Sequence, residues 1–199
     1  MYLVGLGVHA PRLRLLAKGV PVLCLAGLVL RDHPDSFGRM IAGGLVLSAA
    51  GDLLLEAAPR FFIHGLAAFL LAHLAYLGAF TKDVPRLAPL RLLPFAAFGV
   101  TTFAVLRPGL WTMATPVACY VTTIVAMMWR AAARVGASPR GAASAWLALA
   151  GAVAFALSDT LIAFDRFFRP LPAAGYPIIL LYWAGQLGIA RSALPSGSD

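Results

Sequence analysis

Most of this chain is written in long apolar runs, each closed by proline, arginine or aspartate. FFIHGLAAFLLAHLAYLGAF at 61–80 and LALAGAVAFALSDTLIAF at 147–164 are examples. Such runs leave very few folds open. Inside hydrocarbon every backbone N–H and C=O needs an internal partner, so only helices and closed barrels cross a bilayer. A barrel strand alternates polarity over about 10 residues, and these runs do not alternate. The expected fold is all-α: a polytopic transmembrane bundle of seven to eight helices, forming a single integral membrane domain over residues 1–199. Composition agrees, with 61% of residues hydrophobic and 12% charged, against about 45–50% and about 25% in soluble domains. At about 20 residues per span, little chain remains for a separate soluble domain.

The spans read as 18–30, 38–56, 62–80, 90–106, 111–130, 142–164 and 175–192. Arg31-Asp-His-Pro-Asp35, Ala58-Pro-Arg60, Lys82-Asp-Val-Pro85, Arg107-Pro-Gly109, Ala137-Ser-Pro-Arg-Gly141 and Arg169-Pro-Leu-Pro172 mark the loops. Residues 1–16 read as a shortened first helix. Their charges follow the apolar stretch instead of preceding it, unlike a signal peptide. The net charge is +8. Arg12, Arg14 and Lys18, then Lys82, Arg86 and Arg91, then Arg130, Arg134 and Arg140 flank apolar runs. That pattern suits loop anchoring and contact with anionic headgroups. Without interleaved aromatics it does not suggest nucleic acid. Nine of the 16 Lys and Arg fall on the side of the C-terminus, which favours a cytoplasmic C-terminus. Cys24 and Cys119 lack CxxC spacing and read as small buried side chains. Gly43, Gly44, Gly51 and Gly151 lie within spans and suit close helix packing.

Three acids interrupt the apolar runs: Asp52, Glu56 and Asp159. A charge at the bilayer centre costs at least about 2.5 kcal/mol, so such residues face a protein interior or a wet cavity and mark candidate sites. Asp52 and Glu56 are four apart and share a helix face with Ser48. Glu56, beside Pro59 and Arg60, also fits the headgroup boundary. His73 and Tyr76 share another face, three apart. A histidine there is often just hydrogen-bonded to a neighbouring helix, and Tyr76 also suits an interfacial belt. Asp159 has no adjacent cation and needs a partner from elsewhere. Asp165, beside Arg166, fits a helix end. Tyr182 and Gln186 share a face in the last span, where a buried amide needs partners such as a carboxylic acid.

GDLLLE at 51–56, FFIHGLAAFLLAHLAYLGAF at 61–80, GAVAFALSDTLIAFDRF at 151–167 and YWAGQ at 182–186 together resemble the YhhN-like membrane proteins, a family that includes the animal lysoplasmalogenases. The resemblance runs from about Lys18 to Ser192, and Lys18-Gly-Val-Pro21 looks like a variant of the family's Lys-Pro element. The family usually carries a further helix at the front. The resemblance implies hydrolysis of the vinyl ether bond of a lysoplasmalogen or related lysolipid, giving a fatty aldehyde and a glycerophospho-headgroup. It also implies a multi-pass protein of the bacterial inner membrane.

Vinyl ethers yield to acid: the β-carbon is protonated, and water captures the oxocarbenium ion. Two carboxyls divide such work in glycosidases. Asp52 and Asp159 are therefore expected to face each other as the catalytic pair. His73, Tyr76, Tyr182 and Gln186 would orient them. Glu56 and Lys18 would stand near the entrance, by the headgroup. The expected partners are membrane lipids and a lysophospholipid substrate, with no cofactor and no metal. A divalent ion on His73, Asp52, Glu56 and Asp159 is the competing chemistry. A proton-coupled transporter using Asp52, Asp159 and His73 as a relay is the alternative function.

Overall fold

The computed structural model describes residues 11–194, with side chains from residue 18 onward. Among these residues every regular element is a helix: α1 (Pro11–Asp32), α2 (Ser36–Ala57), α3 (Phe62–Asp83), α4 (Leu93–Leu110), α5 (Ala114–Arg134), α6 (Gly141–Phe167) and α7 (Gly175–Arg191). Short 3-10 turns at Pro59–Phe61, Pro89–Leu92 and Trp111–Met113 join neighbours. Four stretches are long and apolar enough to cross a membrane: Ser36–Ala57, Pro59–Asp83, Pro89–Arg134 (which holds both α4 and α5) and Gly141–Phe167. The chain is a multi-pass helical membrane protein. Residues 1–10 of the expected shortened first helix lie outside the described residues, and 11–16 belong to α1.

Two boundaries differ from expectation. Pro21 lies inside α1, where its missing N–H frees the carbonyl one turn earlier, next to Lys18. Pro108 lies inside the last turn of α4, so the expected Arg107-Pro-Gly109 loop is helix. That helix ends at Trp111, whose φ is +46°.

Helix pairing follows from where small residues fall. On α6, Ala145, Ala148, Gly151 and Ala152 are buried at three- and four-residue spacing. A Cβ on Gly151 would sit 2.7 Å from the Gly185 carbonyl oxygen and the Ile189 nitrogen. The backbones of α6 and α7 therefore touch, which only glycine permits. Gly44 and Gly51 on α2 lie against the rings of Tyr76 and Phe69 on α3. Gly43 departs from its expected packing role, since its Cβ position meets open space.

The two ends of the bundle differ. At one, the α1–α2 loop and the ends of α3, α5, α6 and α7 are tied by an ionic network. Arg134 donates to Asp83 at 2.7 Å and to Ser144 at 2.9 Å, and lies 4.9 Å over the Phe37 ring. Arg140 bridges Asp83 and Asp35, and Ser144 donates to the Ser192 carbonyl at 2.6 Å. Arg130 donates to carbonyls of Val84, Arg86 and Leu87, strapping down the loop after α3. The expectation that these arginines anchor in headgroups is corrected here. Arg134 is 0% and Arg130 2% exposed, because loop carbonyls and Asp83 satisfy their fork-shaped donors within the protein. Cys24 and Cys119 are exposed on the helix surfaces, contrary to expectation. We call this the paired end. At the other, the cavity end, α2 finishes, α3 begins and α6 finishes.

Candidate active site

Four helix faces converge between the middle of the bundle and the cavity end. On α2, Leu45, Ser48 and Asp52 are buried along one stripe. On α3, Phe69, His73, Tyr76 and Phe80 form another, at helical spacing. On α7 it is Ile179, Tyr182, Gln186 and Ile189. On α6, Phe155 and Ser158 are buried and the Asp159 side chain is 9% exposed.

These residues form two polar groups with aromatic rings between them. In the first, Lys18 Nζ lies 3.1 Å from Asp52 Oδ1, and Tyr182 donates its hydroxyl proton to Asp52 Oδ2 at 2.5 Å. Asp52 is 1% exposed. Alongside, Tyr76 donates to Gln186 Oε1 at 2.8 Å and lies 3.4 Å from Ser48 Oγ. Gln186 thus meets a phenol and not the expected carboxylic acid. In the second group, Tyr120 donates to Asp159 Oδ2 at 2.7 Å, and His73 Nε2 stands 3.5 Å from the same oxygen. His73 Nδ1 donates to the Phe69 carbonyl at 2.6 Å. The Phe155 ring sits between the groups, 4.6 Å from His73 and 5.4 Å from Tyr182.

The second group opens on empty space. A cavity of about 60 Å³ lies between α3, α4, α5 and α6. Its walls include Leu55, Phe62, Leu66, Leu106, Ile124 and Phe167, and its polar lining is Asp159 with Tyr120, Thr102 and Thr160. It is an apolar slot with one carboxyl. A neighbouring hollow between α4 and α6 shares Thr102 and Thr160 with it.

The predicted residues are thus distributed as follows. Asp159 lines the cavity and His73 backs it. Tyr76, Tyr182 and Gln186 are buried around Asp52. Lys18 is not at an entrance: it is 8% exposed and paired with Asp52. An ammonium held in a protein interior needs a carboxylate, and Asp52 is there to meet it. Glu56 is half-buried in the last turn of α2, within electrostatic reach of Asp52. Asp165 accepts from the Leu171 amide at 2.7 Å beyond the end of α6. Among the described residues, no three His, Cys, Asp or Glu side chains gather to hold a metal ion.

Sequence reasoning missed Tyr120, Phe155 and Thr102. Tyr120 sits in CYVTTIV, an apolar run without a charge to draw attention. Its only signal was a phenol within a span, which a lipid-facing belt residue shares.

The class is thus a multi-pass helical membrane protein with a buried acid–histidine–phenol group bordering a largely apolar cavity. The sequence pattern of the YhhN family matches residues 13–193, and the chain belongs to that family. It is 40% identical over 182 residues to the human protein named "Lysoplasmalogenase TMEM86B", covering 91% of this chain and 75% of that one. It is 36% identical over 198 residues to human "Lysoplasmalogenase TMEM86A", covering 91% and 78%. It is also 33% identical over 159 residues to a "Lysoplasmalogenase" of Mycobacterium bovis, covering 75% and 58%. No solved structure matches the chain.

Proposed function

We propose that this protein is a lysoplasmalogenase-like hydrolase that cleaves the vinyl ether bond of a lysoplasmalogen or related lysolipid, with Asp159 as the proton donor. It works as a single membrane-embedded unit, in the plasma membrane of a bacterium. The carrying observation is one carboxyl, held by Tyr120 and His73, in the wall of a largely apolar cavity. A lysolipid has one chain, and such a slot suits it.

The two aspartates divide roles by their partners. Asp52 meets an ammonium and a phenol. Among the described residues Asp159 meets a phenol and a histidine and no lysine or arginine at hydrogen-bond distance. In our reading the His73–Asp159 pair gives its proton to the β-carbon of the vinyl ether. The π electrons form the new C–H bond, leaving an oxocarbenium ion. Water adds to that cation and returns a proton to the pair, giving a hemiacetal. The hemiacetal then releases the aldehyde as its hydroxyl proton passes to the departing glycerol oxygen. One water is consumed and the pair ends as it began, acid first and base second. Lys18, Tyr182, Tyr76 and Gln186 hold Asp52 and the neighbouring α3 in place behind this pair.

The test is direct. Purified protein in detergent is expected to release aldehyde from a lysoplasmalogen, and Asp159→Asn to release none while melting like the wild type. A folded wild type that releases no aldehyde overturns the reading. The buried row of titratable groups from Lys18 to Asp159 also suits a proton-coupled carrier. Substrate-driven proton flux in proteoliposomes, with no product formed, would select that reading instead.

A further inference from the structure

The reaction chemistry needs only the alkenyl chain and its ether oxygen, yet the cavity end of the bundle carries charge that the site does not use. Phe62 and Phe167 wall the cavity and meet edge to face, with ring centres 6.1 Å apart. The Arg166 guanidinium lies over Phe62, 4.7 Å from the ring centre. Next along the chain, Arg60 lies 5.0 Å over Phe61. Both arginines are exposed. Among the described residues neither has a carboxylate within ion-pair distance. Asp165, next to Arg166 in sequence, accepts from the Leu171 amide. The paired end is the contrast, because Arg134 and Arg140 there are consumed by Asp83 and Asp35.

A guanidinium lying over an aromatic ring is held in place while its N–H edge stays free, and that edge matches two oxygens of a phosphate. We infer that Arg166, seated on Phe62 at the cavity mouth, is the binding site for the phosphodiester of a single-chain lipid headgroup. This rests on the hydrolase reading for what fills the slot, and adds the group that decides which lipids enter it. Phe62 then has two faces to its work: its wall side packs the chain, and its ring carries the cation that meets the phosphate. The phosphate binds equally in ground and transition states, since it lies away from the reacting carbon. Its loss therefore falls on KM and not on kcat.

The test pairs two substrates and one inert ligand on the full-length protein in detergent. With a lysoplasmalogen, Arg166→Ala is expected to raise KM about tenfold or more, the worth of one charge-assisted hydrogen bond, with kcat within about twofold. Arg166→Lys should fall between, since a point charge replaces a fork. With a phosphate-free 1-alkenylglycerol, wild type and variants should have equal KM. The inert ligand is a 1-alkyl lysophospholipid, which binds without being cleaved, and calorimetric titration should show the same loss of affinity. A KM unchanged by Arg166→Ala overturns the inference while leaving the hydrolase reading intact, and so does an equal rise for both substrates. A protein that cleaves neither substrate, yet loses affinity for the inert lipid on Arg166→Ala, fails the hydrolase reading and keeps the site. Inorganic phosphate displacing the inert lipid as well as a second lysophospholipid does would overturn the headgroup assignment in favour of a free-anion site. If Arg166→Ala does not fold, Arg166→Gln carries the same comparison.

Discussion

His73 stands between a carbonyl and a carboxylate: its Nδ1 is 2.6 Å from the Phe69 oxygen and its Nε2 is 3.5 Å from Asp159 Oδ2. A carbonyl only accepts, so Nδ1 carries hydrogen. In a neutral ring Nε2 then presents a lone pair towards a carboxylate oxygen, and two lone pairs repel. One proton in the gap removes the conflict, whether it is drawn on the ring or on the acid. In the proposed reaction the pair holds a single mobile proton beside the cavity.

Replacing Asp159 by Asn keeps the shape and removes that proton. Activity is expected to fall at least about 100-fold, the usual contribution of a positioned general acid. Aldehyde release from a lysoplasmalogen measures it. An Asn variant within tenfold of wild type would sink the assignment.

Tyr120→Phe deletes the hydroxyl that donates to Asp159 Oδ2 and leaves the ring in place. The expected loss is about 10- to 100-fold in kcat/KM, matching a hydrogen bond to a charged group. The melting temperature in detergent should change little, which separates this effect from misfolding.

Lys18 and Asp52 form a buried pair, so removing one partner strands the other. Lys18→Met alone is expected to cost about 3–5 kcal/mol of stability. The double variant Lys18→Met, Asp52→Leu should cost less than the two single changes added together. Additive losses in detergent melts would mean that the two residues do not act as a pair.

Gly151→Ala inserts a methyl 2.7 Å from the backbone of α7. Backbone cannot rotate away as a side chain can, so the helices must separate. A loss of about 1–3 kcal/mol is expected, together with reduced activity, because Asp159 and Tyr182 lie on the two helices that part. Gly43→Ala, facing open space, is the neutral control.

Asp35 gives a pH signature at the paired end, outside the spans. Partial burial pushes its carboxyl up, but the Gly38 amide and Arg140 outweigh this and hold it below the usual carboxylate value. A lowered folded value means that the stabilisation is present above the ordinary value of 3.8 and is lost as pH falls through the lowered one. Melts of wild type and Asp35→Asn should differ at pH 7 and converge in strong acid. Curves that keep a constant offset at every pH would contradict this.

The helical runs, most of the loops and the identity of the buried acids were legible in the sequence. Lipid forces backbone groups to pair within each run, and it makes every Asp or His inside a run conspicuous. Tyr120 and Phe155 were not legible, because an aromatic inside an apolar run looks the same whether it faces lipid or a carboxylate. The basic residues misled in the same way. Arg134 and Arg140 read as headgroup anchors until Asp83 and Asp35, remote along the chain, are seen between them.

The amino-acid sequence alone determined the all-helical membrane architecture and the kinship, since both rest on local polarity and on motif order. Which aspartate borders the lipid slot, and which is tied to a lysine, was decided only by how α1, α2, α5 and α6 pack. A carboxyl's chemistry depends on neighbours within a few ångströms, and those neighbours come from distant parts of the chain.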